Sequence, residues 1–259
     1  MKNVALITGA SSGIGKELAW IHAEKKGDLI VVARRKNELE SLKNELEAKH
    51  GVEVMIIVKD LTKPEAPQEV YDEIKQAGID VDHLINNAGF GGVGKFHERD
   101  WVKDESMINL NVLALTALTR KFLPDFVKRN SGRILNVSST ASLIPGPLQA
   151  VYFATKAYVT SFTNAIAEEL HDTNVTATAL LPGATATEFG KISGMDKTSM
   201  FQNTTSARKV AEDGYEAMME GALNKISGLG FAQKLMMAFV PVTPTKMILK
   251  QVRNMQEIK

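Results

Sequence analysis

Cysteine is absent from the 259 residues, which excludes disulfides, thiolate metal sites and cysteine nucleophiles at once. The lack fits a reducing compartment. Long apolar runs are missing too: Leu235–Val242, the longest near the C-terminus, is far too short to span a bilayer. At the other end only Lys2 precedes the brief run Val4–Ile7, which leads straight into Gly9, so no signal peptide is expected and the location expected by default is cytoplasmic. No block carries charge of one sign; 31 Lys and Arg against 30 Asp and Glu leave a formal +1, and neither nucleic acid nor anionic lipid is implied as a partner. The five histidines, His22, His50, His83, His97 and His171, have no ligand spacing such as HxxxH, which argues against a metal. Solenoid-type repeats and low-complexity linkers are also lacking.

What is there is an ordinary globular composition, 44% apolar and 24% charged, enough to build a packed core. At this length an α/β chain is expected to form one domain, residues 1–259. Short apolar runs alternate with longer helical patterns, the signature of βαβ units around a parallel sheet. Six strands are read at Val4–Thr8, Leu29–Ala33, Val54–Lys59, His83–Asn86, Arg133–Ser138 and Thr176–Leu181, with a seventh around Leu223–Ser227 that has little β-branching. Helices are expected at Gly15–Lys26, Asn37–Lys49, Ala66–Ala77, Lys103–Lys128, Val151–His171 and Ala207–Gly221. The mixed charges of Asn37–Lys49 mark an exposed helix face. The expected fold is therefore a Rossmann-type, doubly wound α/β sheet of six to seven parallel strands with helices on both faces. Thr187–Thr205, rich in Gly, Ser, Thr, Met and Lys, reads as a long irregular loop, a kind more often functional than idle.

The first strand ends in Thr8-Gly9-Ala10-Ser11-Ser12-Gly13-Ile14-Gly15 and opens a helix, where backbone N–H groups and the positive helix end suit a pyrophosphate. The spacing is GxxxGxG, not GxGxxG, so position carries more weight than pattern. In such a fold the residue about 20 positions further on meets the adenine ribose, an acid for a 2′-hydroxyl or an Arg for a 2′-phosphate. Here the second strand ends in Arg34-Arg35 with no acid, and the planar guanidinium fork favours NADP(H) over NAD. Asp60, with Leu61 after the third strand, is placed either to contact the adenine edge or to cap the turn at Thr62.

Three further pieces follow in order: Asn86-Asn87-Ala88-Gly89, then Asn111, then Ser139 with Tyr152-x3-Lys156 twelve intervening residues on. With the glycine-rich loop, this ordered set resembles the short-chain dehydrogenase/reductase superfamily in its short, single-domain, NADP-preferring form, loosely like bacterial 3-oxoacyl reductases and hydroxysteroid dehydrogenases. The resemblance covers Met1 to about Gly221 and includes Pro182-Gly183-x3-Thr187. It implies a carbonyl/alcohol oxidoreductase with Asn111, Ser139, Tyr152 and Lys156 as catalytic residues. It also implies that Asn87, Ala88, Gly89, Pro182, Gly183 and Thr187 hold the cofactor, with Thr185 close enough to share the task of Thr187, and that the chain forms a homodimer or homotetramer through the helices containing Asn111 and Tyr152.

The side chains support that chemistry. Tyr152 and Lys156 are four apart on one helix face, and a nearby ammonium is expected to lower the phenol pKa toward the working range of a general acid/base. Ser139 is expected to donate to the substrate oxygen; the gap to Tyr152 selects it over Ser138. Asn111 matches the family position that holds a water linking the lysine to solvent. A rival reading is an NADPH-binding regulator that kept the fold without turnover. Substrate choice is expected in Phe90–Phe96, Leu143–Leu148, Phe189–Phe201 and Phe231–Phe239, whose Phe, Leu and Met side chains, Met195, Met200, Met236 and Met237 among them, suit a hydrophobic carbonyl or alcohol. The extension Gly230–Lys259 is open to three roles: closing over substrate, joining a subunit interface, or docking weakly on a membrane.

Overall fold

Aliphatic runs without polar alternation form strands whose two faces are both covered, and here they give one parallel sheet. The computed structural model describes residues 1–198, 201, 203–230, 233, 235 and 239–257. The strands are β1 (Ala5–Thr8), β2 (Leu29–Ala33), β3 (Val54–Val58), β4 (His83–Asn86), β5 (Gly132–Val137) and β6 (Val175–Pro182). A short parallel pair, β7 (Thr185–Ala186) with β8 (Thr205–Ser206), stands apart. The weakly β-branched seventh segment does form a strand, β9 (Asn224–Ser227), which lies parallel to β6 at the sheet edge. The order is β3-β2-β1-β4-β5-β6-β9.

Alternation along β1 shows how both faces close. Ala5 and Ile7 point into a layer formed by helices α1 (Gly13–Glu24), α2 (Lys36–His50) and α8 (Ala207–Glu220). Leu6 points the other way, toward α3 (Ala66–Gln76), α5 (Leu115–Lys128) and α6 (Ala150–Glu169). Each fully buried Leu or Ile here contributes about 1.5–3 kcal/mol.

The helix expected over Lys103–Lys128 is not a single α-helix. It begins as α4 (Trp101–Ile108), widens into a π turn over Asn109–Ala114 and continues as α5. The stretch expected as an irregular loop, Thr187–Thr205, contains a short helix, α7 (Glu188–Ser193), and ends in β8. A further helix, α9 (Thr245–Gln256), follows Pro244 and packs Val252 and Ile248 against Met107, Tyr152 and Phe153. Met200, Phe231, Met236 and Met237 lie outside the described residues. Among the described residues, no helix is long and apolar enough to cross a membrane.

Candidate active site

The carboxyl ends of β1, β4, β5 and β6 open onto a cavity of about 350 Å³, beside the β1/β4 boundary where the strand order reverses and ligands of open α/β sheets bind. Of the catalytic and cofactor residues expected from the sequence, all but Gly15 and Asn111 line it, whereas of the expected substrate segments Phe90–Phe96 contributes only Phe90 and Leu143–Leu148 contributes none.

Two glycines are demanded by the geometry. Gly9 has φ +69°, and an added Cβ would stand 2.9 Å from Ala88 Cα and from Asn87 Nδ2; at Gly15 it would stand 2.4 Å from the Gly9 carbonyl oxygen. The Ser12 side chain forms no cap on α1, so the first N–H groups of that helix face the loop without a side-chain acceptor. Asn87 fixes the loop by donating from Nδ2 to the Thr8 carbonyl at 2.9 Å, while Thr8 Oγ1 accepts from both Asn87 N and Ala88 N at 3.0 Å.

At the end of β2 the two arginines differ. Arg35 donates to Ser11 Oγ and to its carbonyl, and pairs with Glu188 at 3.1 Å. Arg34 is exposed and has no ion-pair partner among the described residues. Asp60 accepts from Thr62 N at 3.1 Å and Thr62 Oγ1 at 2.9 Å, so it caps the turn while still lining the cavity.

The adjacent serines separate cleanly. Ser138 is buried, with its hydroxyl engaged by the Lys156 carbonyl at 2.9 Å and Thr160 Oγ1 at 2.7 Å. Ser139 Oγ lines the cavity, accepts from Ala141 N at 3.1 Å and donates weakly to the Pro182 carbonyl at 3.4 Å. A similar division holds for the two threonines. Thr185 Oγ1 donates to the Gly183 carbonyl at 2.9 Å, whereas Thr187 Oγ1 only accepts, from Phe189 N at 3.2 Å, and keeps its proton free for a ligand.

One electrostatic expectation is overturned. Lys156 does not lower the phenol pKa of Tyr152. Burial pushes that phenol up to about 12, with the neighbouring Ser139 hydroxyl acting the other way. Lys156 Nζ is drawn to the Val137 carbonyl at 2.8 Å, stands 5.9 Å from the Tyr152 ring centroid, and is itself lowered to about 8 by burial. Sharing a helix face puts two stems side by side, but the ends of the chains go where their hydrogen bonds lead. In this arrangement the phenol is protonated at neutral pH and the ammonium is still mostly charged.

Asn111, in the π turn, clasps Phe90: its Oδ1 accepts from Phe90 N at 3.1 Å and its Nδ2 donates to the Phe90 carbonyl at 3.0 Å and to Thr155 Oγ1 at 3.1 Å. Its amide is thus engaged in holding the segment after Gly89. The apolar wall of the cavity includes Phe90, Phe189, Ile192, Met195 and Phe201, with Phe189 5.5 Å from the Tyr152 ring and stacked on Phe201. Sequence reasoning missed Thr8, Thr155 and Glu188. Thr8 stood in the quoted loop motif, whereas Glu188 had only its place after Thr187 to signal it.

A family model for short chain dehydrogenases matches residues 3–197. A very-long-chain 3-oxoacyl-CoA reductase from Homo sapiens is 32% identical over 262 positions, covering 98% of this chain and 79% of the relative. An NADP-dependent 3-hydroxy acid dehydrogenase from Schizosaccharomyces pombe is 38% identical, over 72% of this chain and 73% of its own. Among solved structures, a short-chain dehydrogenase from Sphingobium yanoikuyae in complex with NADPH aligns with a TM-score of 0.83 at 32% identity, over 90% of each chain.

Proposed function

The chain belongs to the short-chain dehydrogenase family, an oxidoreductase family, and from that premise we propose that it reduces a hydrophobic ketone or aldehyde to an alcohol with NADPH. The observation that carries the reading is the Tyr152 phenol, buried at the wall of the cavity that Ser139 and Lys156 also line, where burial raises its pKa and favours the protonated form. A protonated phenol is the form that donates to a carbonyl oxygen as it gains charge.

The residues present fit the cofactor. Gly9 and Gly15 leave a cradle that side chains would fill, the unpaired N–H groups of α1 suit a pyrophosphate, and Arg34 with Arg35 suits a 2′-phosphate. Gly13, Ile14, Ser11 and Ser12 line the loop side, Asp60 and Leu61 the adenine side, and Asn87, Ala88, Gly89, Pro182, Gly183, Thr185 and Thr187 the inner side. The free hydroxyl proton of Thr187 favours it over Thr185 as the donor to the carboxamide. When bound, the cofactor supplies the hydride. Tyr152 gives the proton to the substrate oxygen, and Ser139 donates to that same oxygen, stabilising its developing charge. Lys156 keeps its ammonium at the cavity wall, held by the Val137 carbonyl, and Asn111 positions the Phe90 segment that walls the substrate side.

Reduction is favoured over oxidation near neutral pH, because oxidation needs a phenolate that burial disfavours. The reverse reaction is therefore expected to accelerate between pH 7 and 9 while reduction does not. The proposal includes a homo-oligomer; exposed Leu113 in the π turn and Tyr158 on α6 support contact through those helices, and light scattering on the purified protein tests it. The decisive experiment is a panel of ketones, aldehydes and quinones with NADPH. Oxidation of the nucleotide with an apolar carbonyl is expected; tight NADPH binding without turnover on any member would favour the regulator instead.

A further inference from the structure

A carboxylate sits where a phosphate is expected. Glu188, the first residue of α7, reaches back across the cavity rim to the glycine-rich loop, where it pairs with Arg35 Nη1 through both oxygens, at 3.3 Å and 3.1 Å. The rest of the Arg35 fork is turned onto Ser11, with Nε at 3.2 Å and Nη2 at 3.1 Å from Oγ. The neighbouring Thr187 lies so close to the loop that a Cβ on Gly13 would meet its methyl group at 3.0 Å. The carboxylate is held below its ordinary range by Arg35 first and Ser12 second. An anion thus already lies against the guanidinium that the proposed function assigns to the 2′-phosphate.

We propose that Glu188 is a cofactor-specificity residue, a built-in carboxylate that occupies Arg35 in place of the 2′-phosphate and is displaced when NADPH binds. The proposal rests on the reading of Arg35 given above. Two negative groups cannot share one fork without repulsion, and a phosphate dianion is the stronger acceptor. NADH brings no group to this place, so its binding leaves the Arg35–Glu188 pair intact. The carboxylate therefore opposes NADPH alone and sets the ratio of the two affinities below what the arginines would give by themselves. Phe189, the next residue, packs on the Tyr152 ring, so the exchange at Arg35 takes place one residue from a side chain that touches the reactive tyrosine.

Glu188→Gln keeps the size and one acceptor oxygen, replaces the other with an amide donor and removes the charge. Equilibrium titrations of wild type, E188Q, R35A and the double variant with NADPH and with NADH, at low and high salt, test the idea. Glu188→Gln is expected to tighten NADPH about two- to fivefold, the scale of an exposed ion pair, with NADH changed less than about 1.5-fold. The gain should shrink at high salt and vanish in the Arg35→Ala background. Unchanged or weaker NADPH binding, an equal gain for both nucleotides, or a gain that survives without Arg35 overturns the proposal. A wild type that does not prefer NADPH overturns the cofactor reading itself, before any variant is compared.

Discussion

The two ends of the sheet each carry a polar cluster, and they differ in how many of its groups are already partnered. At the amino ends of the strands, His22 Nε2 lies 2.7 Å from the Asn3 carbonyl and its Nδ1 3.0 Å from the Tyr215 hydroxyl, while His83 Nε2 meets Asn3 Oδ1 at 2.9 Å. A carbonyl only accepts, so His22 carries its proton on Nε2 and accepts from Tyr215. Asp28 accepts from the backbone of Lys2 and Glu53, and Asp82 from Val4. That end is largely closed: Asn3, Asp28 and Asp82 tie strand starts together and His22 ties α1 to α8, with His83 Nδ1 a buried atom without a partner among the described residues. At the carboxyl ends, the Tyr152 phenol, the Thr187 proton, the α1 N–H groups and Arg34 border a cavity with donors to spare. Similar residue types lock one end and equip the other for chemistry; partnering, more than composition, separates a structural cluster from a site.

Several measurements would break or sharpen that contrast. The largest effect is expected from Tyr152→Phe, which removes the proton but keeps the ring against Phe189. Single-turnover reduction should fall about 10²–10⁴-fold, with the NADPH dissociation constant within about twofold. Near-normal turnover would mean the open end is not where the proton moves.

Acid should act on the closed end. Burial, helped by the neighbouring His22 ring and two arginines, pushes His83 down to about 3 from 6.5, and burial lowers His22 as well. Below pH 6.5 the unfolded chain therefore binds protons that the folded chain refuses. For His83 the stabilisation is complete above 6.5 and is lost as pH falls toward 3, at up to about 1.4 kcal/mol per pH unit, and His22 acts in the same direction. Urea denaturation between pH 7.5 and 4.5, above the range where carboxylates dominate, should show the slope, and His83→Asn should flatten it. A level profile would remove the histidines as a lock.

A smaller effect is expected at the rim, where Arg34→Ala should narrow the NADPH-over-NADH preference by about 1.5–3 kcal/mol, read by calorimetry with both nucleotides. Smallest is Ser138→Ala. Its hydroxyl is engaged inside the fold, so stability should drop about 1 kcal/mol with turnover within about threefold. A large loss of turnover would blur the distinction from Ser139.

The fold was legible because strands covered on both faces need continuous apolar runs, and these are visible one by one. Even the edge strand β9 was located, although Asn224 and Lys225 give it little β character, since its pairing with β6 supplies what propensity does not. The ordered motifs likewise marked more than half of the residues that border the cavity, chiefly on the side that suits the cofactor. What stayed hidden depends on where flexible ends point. Helical spacing put Lys156 beside Tyr152 but could not reveal that Nζ would turn to Val137. Glu188 gave no signal beyond its place after Thr187, because its partner lies 153 residues away. Helix α7, only six residues long among glycines and serines, left no periodic pattern to detect.

The wide turn at Asn109–Ala114 has a consequence for insertions and deletions. A π turn holds one more residue than the α-helix it interrupts, and each α-helical residue advances about 100°. Upstream, Asp104 and Met107 are buried; downstream, Leu115, Leu118, Phe122 and Phe126 are. Deleting one residue from the turn would allow a continuous α-helix, but would rotate one of these stripes about 100° out of phase with the other. Either α4 would turn Met107 away from Tyr152 and Phe153, or α5 would lift its phenylalanines off the sheet. Register along this rod is therefore set by length, so a one-residue deletion here should harm the protein more than most single substitutions on the same helices.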